Sequence, residues 1–441
     1  MTARRTISIS PATHRVEPAA RDAARPQATL RALLLAPHRI AFFAGALMLL
    51  LASLAWASLL AATSSGTAVV TTLPPTLAHG FIFTAAYMPL FIAGFMFTAG
   101  PRWLDVPTPP AERLIWPVRL HATGILLLLV GSIGSMGVAA FGALLLAFAW
   151  TAIGISFVSL LRASRTRDKL HAHCVLAFWI AGIAAALLFA SGLATHYFDA
   201  VAAAAGILVF GFVAPITVTV AHRVLPFFTS NAVAGMVPWR PNWVLGLLIA
   251  GVLTLGALQL AGRLELLDAR AMALMTLVSV APIGVALAAL AVRWGLMQTL
   301  RGPSLRLVAM LHLAFLWIPI ALALASVDAA WLLLFGTAAP RLGTLPLHAL
   351  TIGFLGSMLF AMATRVISGH GGLAVTADGF VWTLFWLLQA AALLRLSVPI
   401  FPRYAGELSA ATALLWTATW GAWAARYLPL LMRPRADGRP G

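Results

Sequence analysis

Charge is what this sequence has least of. Only 9% of its 441 residues are Asp, Glu, Lys or Arg, and 61% are hydrophobic; soluble domains carry about a quarter charged residues. A mean hydropathy of +0.96 requires lipid as the solvent for the surplus apolar surface and excludes a water-soluble globule. Cysteine is almost absent: Cys174 stands alone, which excludes an intrachain disulfide and any Cys-built metal cage. Acidic residues are few, and all twelve, Asp168, Glu265, Asp328 and Asp378 among them, fall in tails, loops or helix ends. Ion-coupled transporters normally carry a carboxylate at mid-membrane, so this distribution weighs against that class. The first thirty residues lack the apolar core of a cleavable signal peptide. Residues 1–36 read instead as a disordered basic cytoplasmic tail.

What the chain does have is long apolar runs. A bilayer core of ~30 Å takes roughly twenty apolar residues per helix. On that ruler spans fall near 40–62, 77–99, 115–134, 138–161, 170–193, 199–222, 242–262, 271–295, 304–327, 345–367, 379–398 and 407–430. Breaks such as Pro74-Pro75 and Pro238-Trp239-Arg240-Pro241 separate them. The expected fold class is all-α: a polytopic membrane helix bundle of about twelve transmembrane helices. It forms one domain over 37–431, with a short basic tail at 432–441. With the N-terminus inside, 24 of the 29 Lys and Arg residues lie on the cytoplasmic side, so both termini are expected there. The formal charge of +17 thus follows the positive-inside rule and implies no nucleic-acid partner.

Eleven histidines in so uncharged a chain carry more information. In this topology His79, His196 and His348 belong near the outer face. His121, His171, His173, His222, His312 and His370 belong toward the inner face, and His38 opens the first span. Neutral imidazole is cheap to bury compared with carboxylate, and it is the commonest ligand of haem iron and copper. A single histidine at a helix end is nonetheless more often an interfacial residue bonded to a carbonyl. The run His171-Ala172-His173-Cys174 reads that way, because helix positions two apart diverge. Met358 and Met362, one turn apart, could offer thioethers to haem or Cu(I) but read as packing material.

The strongest local motif runs from His348 to Gly372. One helix carries a histidine at its outer end, Gly353 and Gly356 for close contact, and Arg365 at its inner end, with His370 in a glycine-rich turn. Such a turn admits a flat ligand or an anion, and an arginine there can pair with a haem propionate. This stretch resembles the signature of the NnrS family of bacterial membrane proteins. Other blocks are similar in the same order: His79 with Ile92-Ala93-Gly94-Phe95 and Ala99-Gly100-Pro101-Arg102-Trp103, then Arg223 to Thr229, then Leu311-His312 with Leu316-Trp317-Ile318-Pro319.

The resemblance implies a multi-pass protein of the bacterial inner membrane that contains haem and copper. It also implies a role in nitric oxide metabolism or in protection from nitrosative stress. Its partners would be the lipid bilayer and a small uncharged gas such as nitric oxide, which needs no polar channel. By the resemblance His348, His370, His312, Arg365 and Arg223 are the cofactor-binding candidates. His79, His348 and, by a weaker match, His196 are the metal-ligand candidates, and the resemblance does not divide the residues between haem and copper. The chain departs from the family at Leu77-Ala78-His79-Gly80, where a first His and a Glu are missing, and at Gly371 and Leu373. It also has His222 where a small residue is usual; His222 could supply a replacement ligand. The alternative is a transporter of copper or a small metabolite without haem. An oxidase-like haem-copper core ranks last, since most histidines map near helix ends.

Overall fold

In lipid a backbone amide finds no partner except its own helix, so each apolar run must coil. The computed structural model describes residues 28–337 and 341–437, and every regular element among them is helical. The long helices are α1 (Pro37–Ser64), α2 (Pro75–Met96), α3 (Ile115–Gly134), α4 (Met136–Ala163), α5 (Leu170–Ala194) and α6 (Phe198–Ala232). They continue with α7 (Asn242–Arg263), α8 (Ala269–Arg293), α9 (Arg306–Phe335), α10 (Leu345–His370), α11 (Gly379–Leu396) and α12 (Ala405–Leu431). Prolines stand in the first turn of α1 and α2, where a missing amide proton costs nothing. Asp268 and Asp378 cap α8 and α11.

Eleven of these helices are long and apolar enough to cross a membrane. The exception is α12, enriched in threonine (Thr412, Thr417, Thr419). Its 27 residues nonetheless extend about 40 Å, and it runs antiparallel to α1. Trp416 donates to Ser53 Oγ at 3.0 Å, and Arg39 donates to Leu431 O at 3.2 Å. The Thr29 amide donates to Met432 O at 2.8 Å, so the described chain starts and finishes on one face. We call that face the tail end and the opposite one the distal end.

Residues 1–27 of the expected N-terminal tail, and 438–441 of the C-terminal one, lie outside the described residues. The remainder of the N-terminal segment contains a 3₁₀ turn, Leu30–Leu34, with Ala32 and Leu33 buried.

The most enclosed helices are α2, α6, α9 and α10, whereas α8 is the most outward-facing. Two of the enclosed helices contain π-helical stretches, Leu208–Val213 in α6 and Ala349–Gly356 in α10. A π-segment widens the turn and re-aims the side chains beyond it, a distortion found mostly at functional sites. In α10 it begins immediately after His348. At Gly353, inside this stretch, a Cβ would lie 2.4 Å from the Trp317 indole of α9, so only glycine permits that approach.

Trp317 Nε1 donates to Gln389 Oε1 at 2.7 Å, and Gln389 Nε2 donates to Ser357 Oγ at 2.8 Å. This buried chain ties α9, α10 and α11 together within the bilayer. Interhelical hydrogen bonds in membranes contribute ~0.6 kcal/mol on average, and an orphaned buried donor costs ~1–3 kcal/mol. Gln389→Leu is therefore expected to destabilise the bundle by about 2 kcal/mol, measured as reversible unfolding in mixed micelles.

Candidate metal and cofactor site

Hydrogen bonds decide which imidazoles are free to bind. A neutral ring has one N–H and one lone pair, and a metal-ligating histidine usually anchors its N–H on a carbonyl or carboxylate. His121 has neither group spare: Nε2 donates to Ala86 O at 2.9 Å, and Nδ1 accepts from Trp150 Nε1 at 3.0 Å. It joins α2, α3 and α4 and is a structural residue.

At the distal end, His348 Nδ1 donates to Thr344 O at 2.9 Å. Its Nε2 therefore carries the lone pair. His79, in the first turns of α2, stacks on Trp56 with centroids 4.0 Å apart and lies against Phe83 at 5.0 Å. Its Nδ1 is buried and has no partner. The two imidazoles, from α2 and α10, are close enough to act on one another electrostatically, with Arg395 also within reach. His79 lines a cavity of about 140 Å³ together with Trp56, Ile82, Phe83, Leu129 and Ser132. His196, the third expected outer ligand, is exposed on the turn between α5 and α6 in a left-handed conformation (φ 56°). No hydrogen bond or ring contact among the described residues joins it to the other two.

Toward the tail end, Thr229 Oγ donates to Leu225 O at 2.9 Å, so it accepts from His312 Nε2 at 2.7 Å. The buried Nδ1 of His312 is left without a partner. Phe228, the neighbour of Thr229, carries the Arg365 guanidinium on its ring at 3.7 Å. Thus α6 brings together His312 of α9 and Arg365 of α10, two residues the sequence grouped. Arg223, also on α6, covers Trp103 at 4.9 Å. A cavity of about 70 Å³ lies among α1, α2, α6 and α10, its wall including Val220 and Ala221 of α6 and Met358, Met362 and Val366 of α10. Met88 of α2 joins the two methionines there.

His222 behaves in a way the sequence did not reveal. Its Nε2 donates to Pro241 O at 3.2 Å, so its Nδ1 accepts from His171 Nε2 at 2.9 Å. The free lone pair passes to His171 Nδ1, buried and unpartnered. His171 was read as interfacial polarity; it is buried, and only His173 of that run is exposed. No pattern along the chain signals a pairing between residues 51 apart. His370 likewise meets an unanticipated partner, His38, with centroids 4.4 Å apart. That contact leaves no slot for a flat macrocycle between the rings. His370 and His348 also lie at opposite ends of α10, about 33 Å apart at 1.5 Å per residue, and cannot serve one bound group.

Among the described residues no three His, Cys, Asp or Glu side chains converge on a point, which argues against a closed four-ligand zinc site. Imidazole nitrogens of the kind His79 and His348 offer suit copper, and His79 lies in the wall of a largely apolar cavity. For haem the donor set also fits: the lone pair of His312, and two arginines without carboxylate partners among the described ion pairs. The 70 Å³ cavity takes a diatomic gas; a macrocycle requires the surrounding helices to part.

No curated protein matches the chain. The NnrS protein family matches it over residues 32–435, from the turn before α1 to the segment after α12. With nearly its whole length covered, the chain belongs to the NnrS family of membrane proteins, which is linked to the nitric oxide response.

Proposed function

We propose that this protein binds copper and haem through imidazoles inside its helix bundle and protects the cell against nitric oxide and the damage it causes. The observation that carries the proposal is the pairing of His79 and His348. His79 of α2 has a buried, unpartnered Nδ1 at the wall of a cavity, and His348 of α10, its Nδ1 spent on Thr344 O, lies within electrostatic range of it. Burying such a nitrogen without a partner costs ~1–3 kcal/mol, a cost that a bound ion removes.

In this account His79 and His348 hold copper, and Trp56 fixes the plane of the His79 ring. Phe83 and Ile82 keep water from the cavity. Bound copper would supply one-electron chemistry. Arg395, close to His348, adds positive potential that opposes every cation and so favours copper in its singly charged state. His312, Arg365 and Arg223 form the zone for haem, and the cavity walled by α1, α2, α6 and α10 admits an uncharged diatomic molecule.

The test is metal analysis and a pyridine-haemochrome assay on protein purified from haem- and copper-replete cells. The expected result is copper near one per chain with a Soret band. A colourless, copper-free preparation that drives substrate flux in proteoliposomes would favour the transporter reading instead. No specific observation favours it: neither cavity described has a charged residue in its wall.

A further inference from the structure

At the tail end, where α1, α10 and α12 meet, Arg39 is buried and belongs to none of the ion pairs among the described residues. Arg39 is only 1% exposed. Its Nη1 donates to Leu431 O at 3.2 Å and to Arg433 O at 2.6 Å, yet its Nε is buried and bonded to nothing. The Nε of Arg433 is buried and unpartnered too. Around them stand the contacting rings of His38 and His370, and Arg102 and Arg435 close enough to act on His370. Arg39 and Arg102 act in the same way on His38.

The backbone is shaped to hold this cluster closed. The Ala436 amide donates to Gly371 O at 2.9 Å. Gly372 adopts φ +71°, and a Cβ there would meet Asp437 at 2.9 Å. The C-terminal segment is thus folded back over the glycine turn. Asp437 bonds Arg435 at 2.6 and 2.9 Å, and none of the described ion pairs includes Arg39, Arg102 or Arg433.

A guanidinium removed from water with an unused N–H is a costly arrangement unless an anion completes it. Arginine forks match the oxygens of phosphate. The ends of transmembrane helices lie at the depth of lipid headgroups, where basic pockets between helices hold acidic lipids. We propose that the corner formed by Arg39, Arg102, Arg433, His38 and His370 binds a phosphate group, either the headgroup of an acidic phospholipid or free phosphate. Arg102, which is exposed, forms the entrance. The site stands apart from the copper pair at the distal end and does not depend on it.

The experiment uses full-length protein, delipidated in detergent. Native mass spectrometry follows titration with phosphatidylglycerol and, separately, phosphatidylcholine. Thermal unfolding is followed with each lipid and with inorganic phosphate. Wild type is compared with the double variant Arg102→Gln/Arg433→Gln, which spares Arg39 and its bonds to backbone carbonyls. The expected result is retention of phosphatidylglycerol over phosphatidylcholine, a rise of several degrees in Tm, and at least a fivefold loss of affinity in the double variant. An equal rise with millimolar inorganic phosphate, also lost in the variant, would assign the site to free phosphate. Equal binding of both lipids, undiminished binding by the double variant, or no response to lipid or phosphate would each overturn the proposal. An unchanged unfolding midpoint of the variant without ligand shows that its fold is intact.

Discussion

Replacing His348 by alanine is expected to lower the copper content of the purified protein to less than a tenth of wild type, and replacing His79 is expected to do the same. Each imidazole provides half of a two-ligand set, so removing either leaves a single nitrogen, which cannot hold the ion through purification. Loss of an outer-shell partner alone typically costs 10–100-fold in metal affinity, and loss of a ligand costs at least that. The converse is equally specific. His370→Ala should leave distal copper untouched, because His370 sits at the other end of α10, about 33 Å away. His196→Ala should also leave it in place, because the ring is exposed on its turn. Elemental analysis of the four variants beside wild type checks the whole pattern. Copper loss from His370→Ala with retention in His348→Ala would place the metal at the wrong end of the bundle for this account.

His121→Ala should have the opposite signature: a large loss of stability with cofactor content preserved. The ring fills a buried position and satisfies two partners, Ala86 O and Trp150 Nε1. Trp179 in turn donates to Trp150 O at 2.7 Å, so the bond chain continues from α3 through α4 into α5. Truncation leaves a cavity and an orphaned indole N–H, together about 4 kcal/mol. His121→Gln could keep one of the bonds and should recover part of the loss. Unfolding in mixed micelles gives the stability, and metal analysis of the folded fraction gives the content. A stable His121→Ala protein devoid of copper would show that this histidine had been assigned the wrong role.

The contrast between His121 and His348 also marks what could be read along the chain. Apolar runs located the helices to within a few residues, because lipid permits almost nothing but helix; the exceptions are α6 and α9, which run on to Ala232 and Phe335, beyond the expected ends at 222 and 327. The same arginine bias led to the expectation of an even number of crossings. Eleven of the described helices are long and apolar enough to cross a membrane, and the bond from Thr29 to Met432 sets the start of the described chain beside the end of α12. Grouping His312 with Arg365 was legible through the family motifs. The role of each histidine was not. Whether an imidazole is spent or free depends on the nitrogen partners that tertiary packing supplies. His121 and His312 both look like inner-face histidines, yet one is saturated and the other has a bare Nδ1. The His171–His222 and His38–His370 pairs were invisible for a related reason. Each joins residues on two different helices, and spacing along one helix carries no record of its neighbour. The π-segment after His348 was equally hidden, since its widened turn has no period of its own in the pattern of apolar residues.

The account rests on His79 and His348 holding one copper ion between them, and X-ray absorption at the copper edge tests this most directly. Wild-type protein should show imidazole scattering from two nitrogens at ~2 Å, reduced to one in whatever copper remains bound to His348→Ala. A first shell dominated by sulfur, or two imidazoles that persist unchanged after both His79 and His348 are replaced, would contradict it.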